Sequence, residues 1–352
     1  MRSFGSDNHS GVHPAILEAI NQANKDHVIA YGDDIWTQEA IEQIKPIFGE
    51  KAKPYFVFNG TGANVVALQA CLRPFESVVV PSTAHVFVDE CGSPEFMTRS
   101  ALKSVKTTNG KLTIEHIEPF LSNIGDQHHS QPKVAYISQC SELGTVYSLK
   151  EIRNLADYLH KNNMYLHMDG ARISNAAVSL GEDLKAITAD CGVDILSFGG
   201  TKNGMLMGEA VISFREDLSE KLKYIRKQSA QLYSKMRFTS CQFSAYFQND
   251  LWKQNAEHAN MMAQKLREGI LSIADFEFTQ STDANIVLVK MSPSLIEQLL
   301  KNHFFYIWNE QEHEIRLVTS WDTTEDDIDA FLDNLEKAYK TAKSYFEVPE
   351  KI

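Results

Sequence analysis

A chain of 352 residues with a formal net charge of −12 repels polyanions at long range, and no Lys/Arg cluster reverses this, so nucleic acid is not expected as a partner. Its 43% hydrophobic and 23% charged composition is that of a soluble globular protein, long enough for a main domain and a smaller one. The start, Met1-Arg2-Ser3-Phe4-Gly5-Ser6-Asp7, has no apolar core and no later apolar run approaches the roughly 20 residues a bilayer needs, so a cytoplasmic protein with no membrane partner is expected.

Short apolar or β-branched runs at 55–58, 77–80, 134–138, 165–168, 195–198 and 210–214 have the length of buried strands. Between them, 63–72, 149–161 and 184–189 carry apolar residues at spacings of three and four and are expected to be helices. Ser148, three residues before Glu151, forms a capping box for the second. This alternation predicts an α/β fold with a mostly parallel sheet covered on both faces, and a ligand beyond the carboxyl ends of its strands. From about residue 245 the pattern changes to a long helix at 250–272, strands at 276–279, 286–291, 304–308 and 314–321, and a last helix from 324 to about 343. That order suits a small α+β domain with an antiparallel sheet, and the site is expected where the two domains meet.

Five cysteines, at 71, 91, 140, 191 and 241, are too far apart for a metal or redox pair and read as reduced thiols, mostly in the core. No His/Cys/Asp/Glu cluster has convincing ligand spacing, so no metal is expected.

The most informative pair is Tyr165-Leu166-His167-Met168-Asp169-Gly170-Ala171-Arg172 followed by Ser197-Phe198-Gly199-Gly200-Thr201-Lys202. An acid and a lysine leave the same ends of consecutive parallel strands and can address one ligand. A pyridoxal cofactor needs that arrangement: an amine to form an imine with its aldehyde, and a carboxylate to keep the pyridine nitrogen protonated. The alternative, Asp169 as a helix cap and Lys202 as a solvated side chain, fits less well with the apolar strands that lead into both. Gly60-Thr61-Gly62, between a strand and a helix, has the form of a phosphate cradle, since helix amides and dipole favour a dianion.

With these segments the chain resembles the threonine aldolase family, in its low-specificity L-threonine and L-phenylserine aldolase branch, among the aspartate-aminotransferase-like, fold-type-I pyridoxal-phosphate enzymes. The resemblance covers nearly the whole chain. It rests on Ser6-Asp7-Asn8 with Gly11-x-His13-Pro14, Tyr31-Gly32-Asp33-Asp34, Gly60-Thr61-Gly62-Ala63-Asn64, His85 with Glu90, His167 to Arg172, Gly199 to Gly204, and Ile315-Arg316-Leu317-Val318-Thr319. It implies an N-terminal arm at the active site (1–14), a large cofactor-binding domain with a seven-stranded type of sheet (15–247) and a small C-terminal α+β domain (248–352).

The resemblance also implies roles. Lys202 is the Schiff-base lysine and His85 stacks on the ring. Gly60, Thr61, Gly62, His85, Asp169, Arg172 and Lys202 bind pyridoxal 5'-phosphate, while Ser6, Arg172 and Arg316 hold the carboxylate of an amino-acid substrate. Tyr31, Asp34 and Glu90 shape the site or a dimer boundary, Arg226 and Arg237 approach a neighbouring subunit's phosphate, and the chain forms a homodimer or homotetramer with shared sites. The activity implied is cleavage of a β-hydroxy-α-amino acid (L-threonine, L-allo-threonine or L-phenylserine) to glycine and an aldehyde. A β-eliminating amino-acid lyase, and more remotely a non-catalytic binding protein on the same fold, are the alternatives.

The chain departs from the family at one place. Many threonine aldolases carry a Glu-Asn-Thr-His-like segment before the aspartate strand, where this chain has Ser138-Gln139-Cys140-Ser141-Glu142-Leu143-Gly144-Thr145. The histidine is missing. His85, or water held by it, is then the expected base for the β-hydroxyl proton. Glu142 is a substitute if it is not simply an exposed loop residue, and Cys140 is expected to face the pocket.

Overall fold

Seven strands form the larger of two sheets in the computed structural model, which describes residues 3–346. They are β1 (Lys53–Val57), β2 (Glu76–Pro81), β3 (Ala101–Val105), β4 (Gln131–Ser138), β5 (Tyr165–Gly170), β6 (Ile195–Gly199) and β7 (Glu209–Ser213), in the order β1-β7-β6-β5-β4-β2-β3. β7 runs antiparallel to both its neighbours and the other pairs are parallel. The strands are apolar along nearly their whole length because both faces are covered. Val79, Ile137, Leu166, Met168, Leu196 and Phe198 pack into one core, and Val78, Val80, Val134, Tyr136, Ile195 and Val211 into another on the opposite side. The capping box forms as expected: Glu151 N–H donates to Ser148 Oγ at 3.3 Å, and Ser148 N–H donates to Glu151 Oε2 at 2.7 Å.

The second sheet is antiparallel, in the order β8 (Ile286–Lys290), β10 (Glu314–Val318), β9 (Tyr306–Asn309). Helices Leu251–Ile273, Pro293–Leu300 and Glu325–Phe346 lie with it. Its core joins Leu266, Ile270, Val287, Val289, Ile315, Leu317 and Phe331 with Phe4 from the chain start. Phe4 N–H donates to Phe304 O, and Val318 N–H donates to Phe4 O, both at 2.8 Å. These bonds carry the next residues, Ser6 and Asp7, to the carboxyl edge of the large sheet.

Three segments differ from the sequence reading. Residues 184–189 form turns that lead into a 3-10 turn at Ala189–Cys191, not a helix; Leu184 and Ile187 are buried, but Gly181 and Gly192, both left-handed, close the segment before a helix can propagate. Residues 276–279 make only a single bridge, Phe278 to Val289, and Arg267 lies over the Phe278 ring at 4.0 Å. β3 was not anticipated: as an edge strand it is half exposed and its Lys103 and Ser104 interrupt the apolar signal. No helix among the described residues is long and apolar enough to cross a membrane.

Candidate active site

β5 and β6 run in parallel register, Asp169 opposite Ser197, so both end on one side of the sheet, and Lys202 follows β6 in a single 3-10 turn, Thr201–Asn203. Asp169 and Lys202 line a cavity of about 600 Å³, whose wall also includes Ser6, Gly60, His85, Arg172 and Arg316. The sequence-derived set therefore converges in space, except that Thr61 and Gly62 are not on the wall.

Asp169 is buried and fully engaged. Its Oδ2 accepts from the Tyr136 hydroxyl at 2.5 Å and the Asn64 carboxamide at 3.0 Å, and its Oδ1 from the Ala171 N–H at 2.9 Å. Burial alone would raise its pKa, but these donors and the charge of Lys202 hold it below the usual aspartate value. Tyr136 was not singled out from sequence, and Asn64 figured there only as the last residue of a motif without a role; the fold brings both to Asp169. Asp169 is thus a fixed anion suited to a protonated pyridine nitrogen.

Lys202 has the opposite disposition. Burial and the charge of Arg172 lower its pKa from the ordinary lysine value, against the pull of Asp7, Asp169 and Glu209. A lysine so placed has more of its amine in the nucleophilic, neutral form.

The helix Gly60–Cys71 opens at the cavity edge, where the amides of its first residues have no partner one turn back. Asn59 Oδ1 takes the Gly62 N–H at 2.7 Å, which leaves Gly60 and Thr61 as the amides available to an anion. Gly62 serves another purpose. A Cβ there would lie 2.4 Å from the Gln231 carboxamide, whose Oε1 accepts the Phe58 N–H at 3.0 Å.

The two arginines differ. Arg172 gives both arms of its fork to Asp7, whereas Arg316 has a buried Nε with no hydrogen-bond partner and lies 5.3 Å from the centre of the Trp308 ring. Burial, and then the charge of Arg172, push the Arg316 pKa down to about 10. Ser6 caps the short turn Asp7–His9 by accepting the Asn8 N–H, and it also faces the cavity. A carboxylate entering here finds in Arg316 a cation not already neutralised.

His85 begins the short helix His85–Val88, and its Nδ1 is 2.9 Å from Glu90 Oε1, which also accepts from Asn64. The Glu90 bond raises the His85 pKa. Glu142 is not an exposed loop residue: it lines the cavity, and its Oε1 accepts from the His85 N–H at 2.9 Å and from Ser138 Oγ at 2.7 Å. Cys140 also lines the cavity, with its thiol pushed up to about 11 by burial. Of the residues that the resemblance assigns to the shape of the site, a dimer boundary or a neighbouring subunit, Glu90 is on the cavity wall, while Tyr31, Asp34, Arg226 and Arg237 lie off it within one chain. Asp34 caps the helix Ile35–Phe48, Tyr31 is half exposed, Arg226 donates to Phe56 O, and Arg237 donates to the carbonyls of Lys25 and Asp26.

The chain matches the model of the beta-eliminating lyase family over residues 3–293. It is 39% identical to a low specificity L-threonine aldolase of Pseudomonas aeruginosa, over 92% of this chain and 93% of that one, and 38% identical to another from a Pseudomonas species, over 92% and 94%. Among solved structures, a Leishmania major threonine aldolase superposes with a TM-score of 0.91 at 27% identity, over 96% of this chain and 99% of that one. The fold is that of the type I pyridoxal-phosphate enzymes, and the chain belongs to the beta-eliminating lyase family, in its threonine aldolase group.

Proposed function

We propose that the protein binds pyridoxal 5'-phosphate through Lys202 and cleaves β-hydroxy-α-amino acids of the L-threonine, L-allo-threonine and L-phenylserine class to glycine and an aldehyde. The observation that carries this reading is the pairing, in one cavity, of Asp169 held ionised by three donors with Lys202 held below the ordinary lysine pKa. What the cofactor supplies when bound is an aldehyde for an amine to condense with and a ring that draws electrons from a bond to Cα. The residues present fit it: Lys202 for the aldehyde, Asp169 for the ring nitrogen, His85 for the ring face, and the Gly60 amide on the cavity wall, with Thr61 beside it in the same helix turn, for the phosphate.

The other residues act on the substrate. Arg316 and Ser6 take its carboxylate, Arg316 offering a guanidinium with no ion-pair partner among the described residues. Arg172, tied to Asp7, holds the N-terminal arm against the site and adds positive charge without presenting its fork. A carboxylate anchored at one wall limits rotation about the substrate's N–Cα bond and so restricts which bond to Cα would be broken. A homodimer or homotetramer with shared sites belongs to the same proposal, supported by the exposed Phe87 and Val88 on the helix that carries His85; light scattering of the purified protein tests it.

The deciding experiment is an absorbance spectrum of the protein with pyridoxal phosphate, wild type against Lys202→Ala, followed by product analysis with each of the three amino acids. A Schiff-base band in wild type alone, with glycine and acetaldehyde or benzaldehyde formed, is the expected result. Pyruvate and ammonia from other amino acids would reassign the protein to β-elimination, and absence of any band would remove the cofactor from the account.

A further inference from the structure

We propose that Ser138 and Glu142 form the dyad that takes the proton of the substrate's β-hydroxyl, Ser138 Oγ receiving it while passing its own proton to Glu142. This rests on the aldolase reading above and identifies the base of that reaction.

Both residues line the cavity that holds Asp169 and Lys202. Ser138 is the last residue of β4 and lies in register with Asp169 on β5, so its hydroxyl stands one strand over from the proposed partner of the ring nitrogen. It is buried, 4% exposed, and donates to Glu142 Oε1 at 2.7 Å, which leaves its oxygen lone pairs to accept. The His85 backbone N–H donates to the same carboxylate oxygen, whereas Oε2 is shielded from solvent and has no donor among the described residues. A carboxylate stabilised on one oxygen only, away from water, keeps an unusual affinity for a proton; burial accordingly raises the Glu142 pKa, and the nearby charge of Asp169 adds to the rise. His85 is less available to take the proton, because its bond to Glu90 favours the imidazolium, which already holds one.

The step balances within the substrate. The β-hydroxyl O–H bond breaks and its proton passes to Ser138 as the Ser138 proton moves along the existing hydrogen bond to Glu142. The O–H pair becomes the second C–O bond of the aldehyde. The Cα–Cβ pair remains with the glycine fragment, which takes a proton at Cα, and Glu142 releases the proton it accepted.

The test compares Ser138→Ala, Glu142→Gln and the double variant as holoenzymes. Glu142→Gln keeps an oxygen to accept from the His85 N–H, and Ser138→Ala removes one hydroxyl, so each retains the Schiff-base band if the site is intact. Exchange of the glycine α-hydrogen with deuterated water, followed by NMR, needs the cofactor and Lys202 but no β-hydroxyl. Each single variant should lower kcat/KM for aldehyde release by on the order of 10²-fold with exchange within about threefold of wild type, and the double variant should lose no more than the worse single. Aldehyde release kept near the wild-type rate, multiplicative losses in the double variant, or exchange that falls in step with cleavage would each overturn the dyad; the last would make Glu142 a holder of the His85 turn. Should Glu142→Gln not fold, Ser138→Ala alone carries the same comparison. A wild-type protein that binds cofactor and exchanges glycine hydrogen but releases no aldehyde would sink the aldolase reading and the dyad with it, so the two failures are distinguishable.

Discussion

Arg172 and Asp7 meet in a two-bond fork, Nε to Oδ2 at 2.6 Å and Nη2 to Oδ1 at 2.9 Å, with Asn285 donating to the same Oδ2 at 3.1 Å. One carboxylate thus ties the N-terminal arm to the strand-end loop of the large sheet and to the residue before β8. Of the two arginines that the sequence offers to the substrate, Arg172 is already paired with Asp7, and Arg316, on the wall of the same cavity, is not.

Asp7→Ala should be among the more destabilising single substitutions in the chain. It leaves a buried guanidinium unpaired, a change that costs about 3–5 kcal/mol, and urea unfolding of the cofactor-free protein measures it. Burial would raise the Asp7 pKa, but the charges of Arg172 and Lys202 and the bonds from Arg172 and Asn285 hold it below 3.8. The stabilisation from Asp7 is therefore complete above that ordinary value and is lost as the pH falls through the lower folded one. The gap in stability between wild type and Asp7→Ala should narrow towards strong acid and stay constant around neutrality.

What the sequence reveals of this site follows from how local each signal is. Asp169 and Lys202 were legible because each lies at the carboxyl end of a short buried strand of a parallel sheet, Asp169 next to the last residue of β5 and Lys202 three residues beyond β6. The residues that tune them were not. Tyr136 lies mid-strand on β4 and reads as core, and Asn64 reads as one more helical residue; their bonds to Asp169 exist only once β4, β5 and the helix Gly60–Cys71 are assembled. The Asp7–Arg172 fork spans 165 residues and has no periodicity to announce it. Residues 184–189 misled for the converse reason: Leu184 and Ile187 have helical spacing and are buried, yet turns satisfy both conditions.

Gly62→Ala tests the packing behind the phosphate cradle. The new Cβ meets the end of the Gln231 side chain, which is flexible and will swing away, but in doing so gives up the Phe58 N–H bond. The expected loss is about 1–2 kcal/mol in denaturant unfolding, with weaker binding of pyridoxal phosphate in a spectral titration. Gln231→Ala in the same protein removes the clash. The double variant should therefore be less destabilised than the sum of the two singles.

His85 should titrate above its ordinary value of 6.5 because Glu90 hydrogen-bonds its Nδ1. Its contribution to stability is therefore fully present below that value and fades as the pH rises through the higher folded one. Glu90→Gln removes the charge that favours the imidazolium. In histidine-resolved NMR the His85 midpoint should move down, and the Asn64 bond to Asp169 should survive, since it does not depend on the Glu90 charge. An unmoved midpoint would show that burial and the charges of Lys202 and Asp169, not Glu90, set the His85 proton.

Arg316 should separate binding from stability. Its Nε is shielded from solvent without a hydrogen-bond partner and, among the described residues, the guanidinium has no carboxylate partner, so the folded protein bears part of the cost of burying it and recovers that cost when an anion enters. Arg316→Gln removes the charge and keeps a polar side chain of related shape. The cofactor-free variant should be no less stable than wild type in urea unfolding. Its glycine dissociation constant, read from the spectral change of the holoenzyme, should rise about 10- to 100-fold, the worth of a charge-assisted hydrogen bond of about 1.5–3 kcal/mol. Arg172→Gln should show the reverse pattern, a loss of stability through Asp7 that exceeds its effect on glycine binding. If instead Arg172→Gln abolishes glycine binding and Arg316→Gln leaves it intact, the Asp7 fork opens when substrate arrives and Arg172 is the carboxylate anchor.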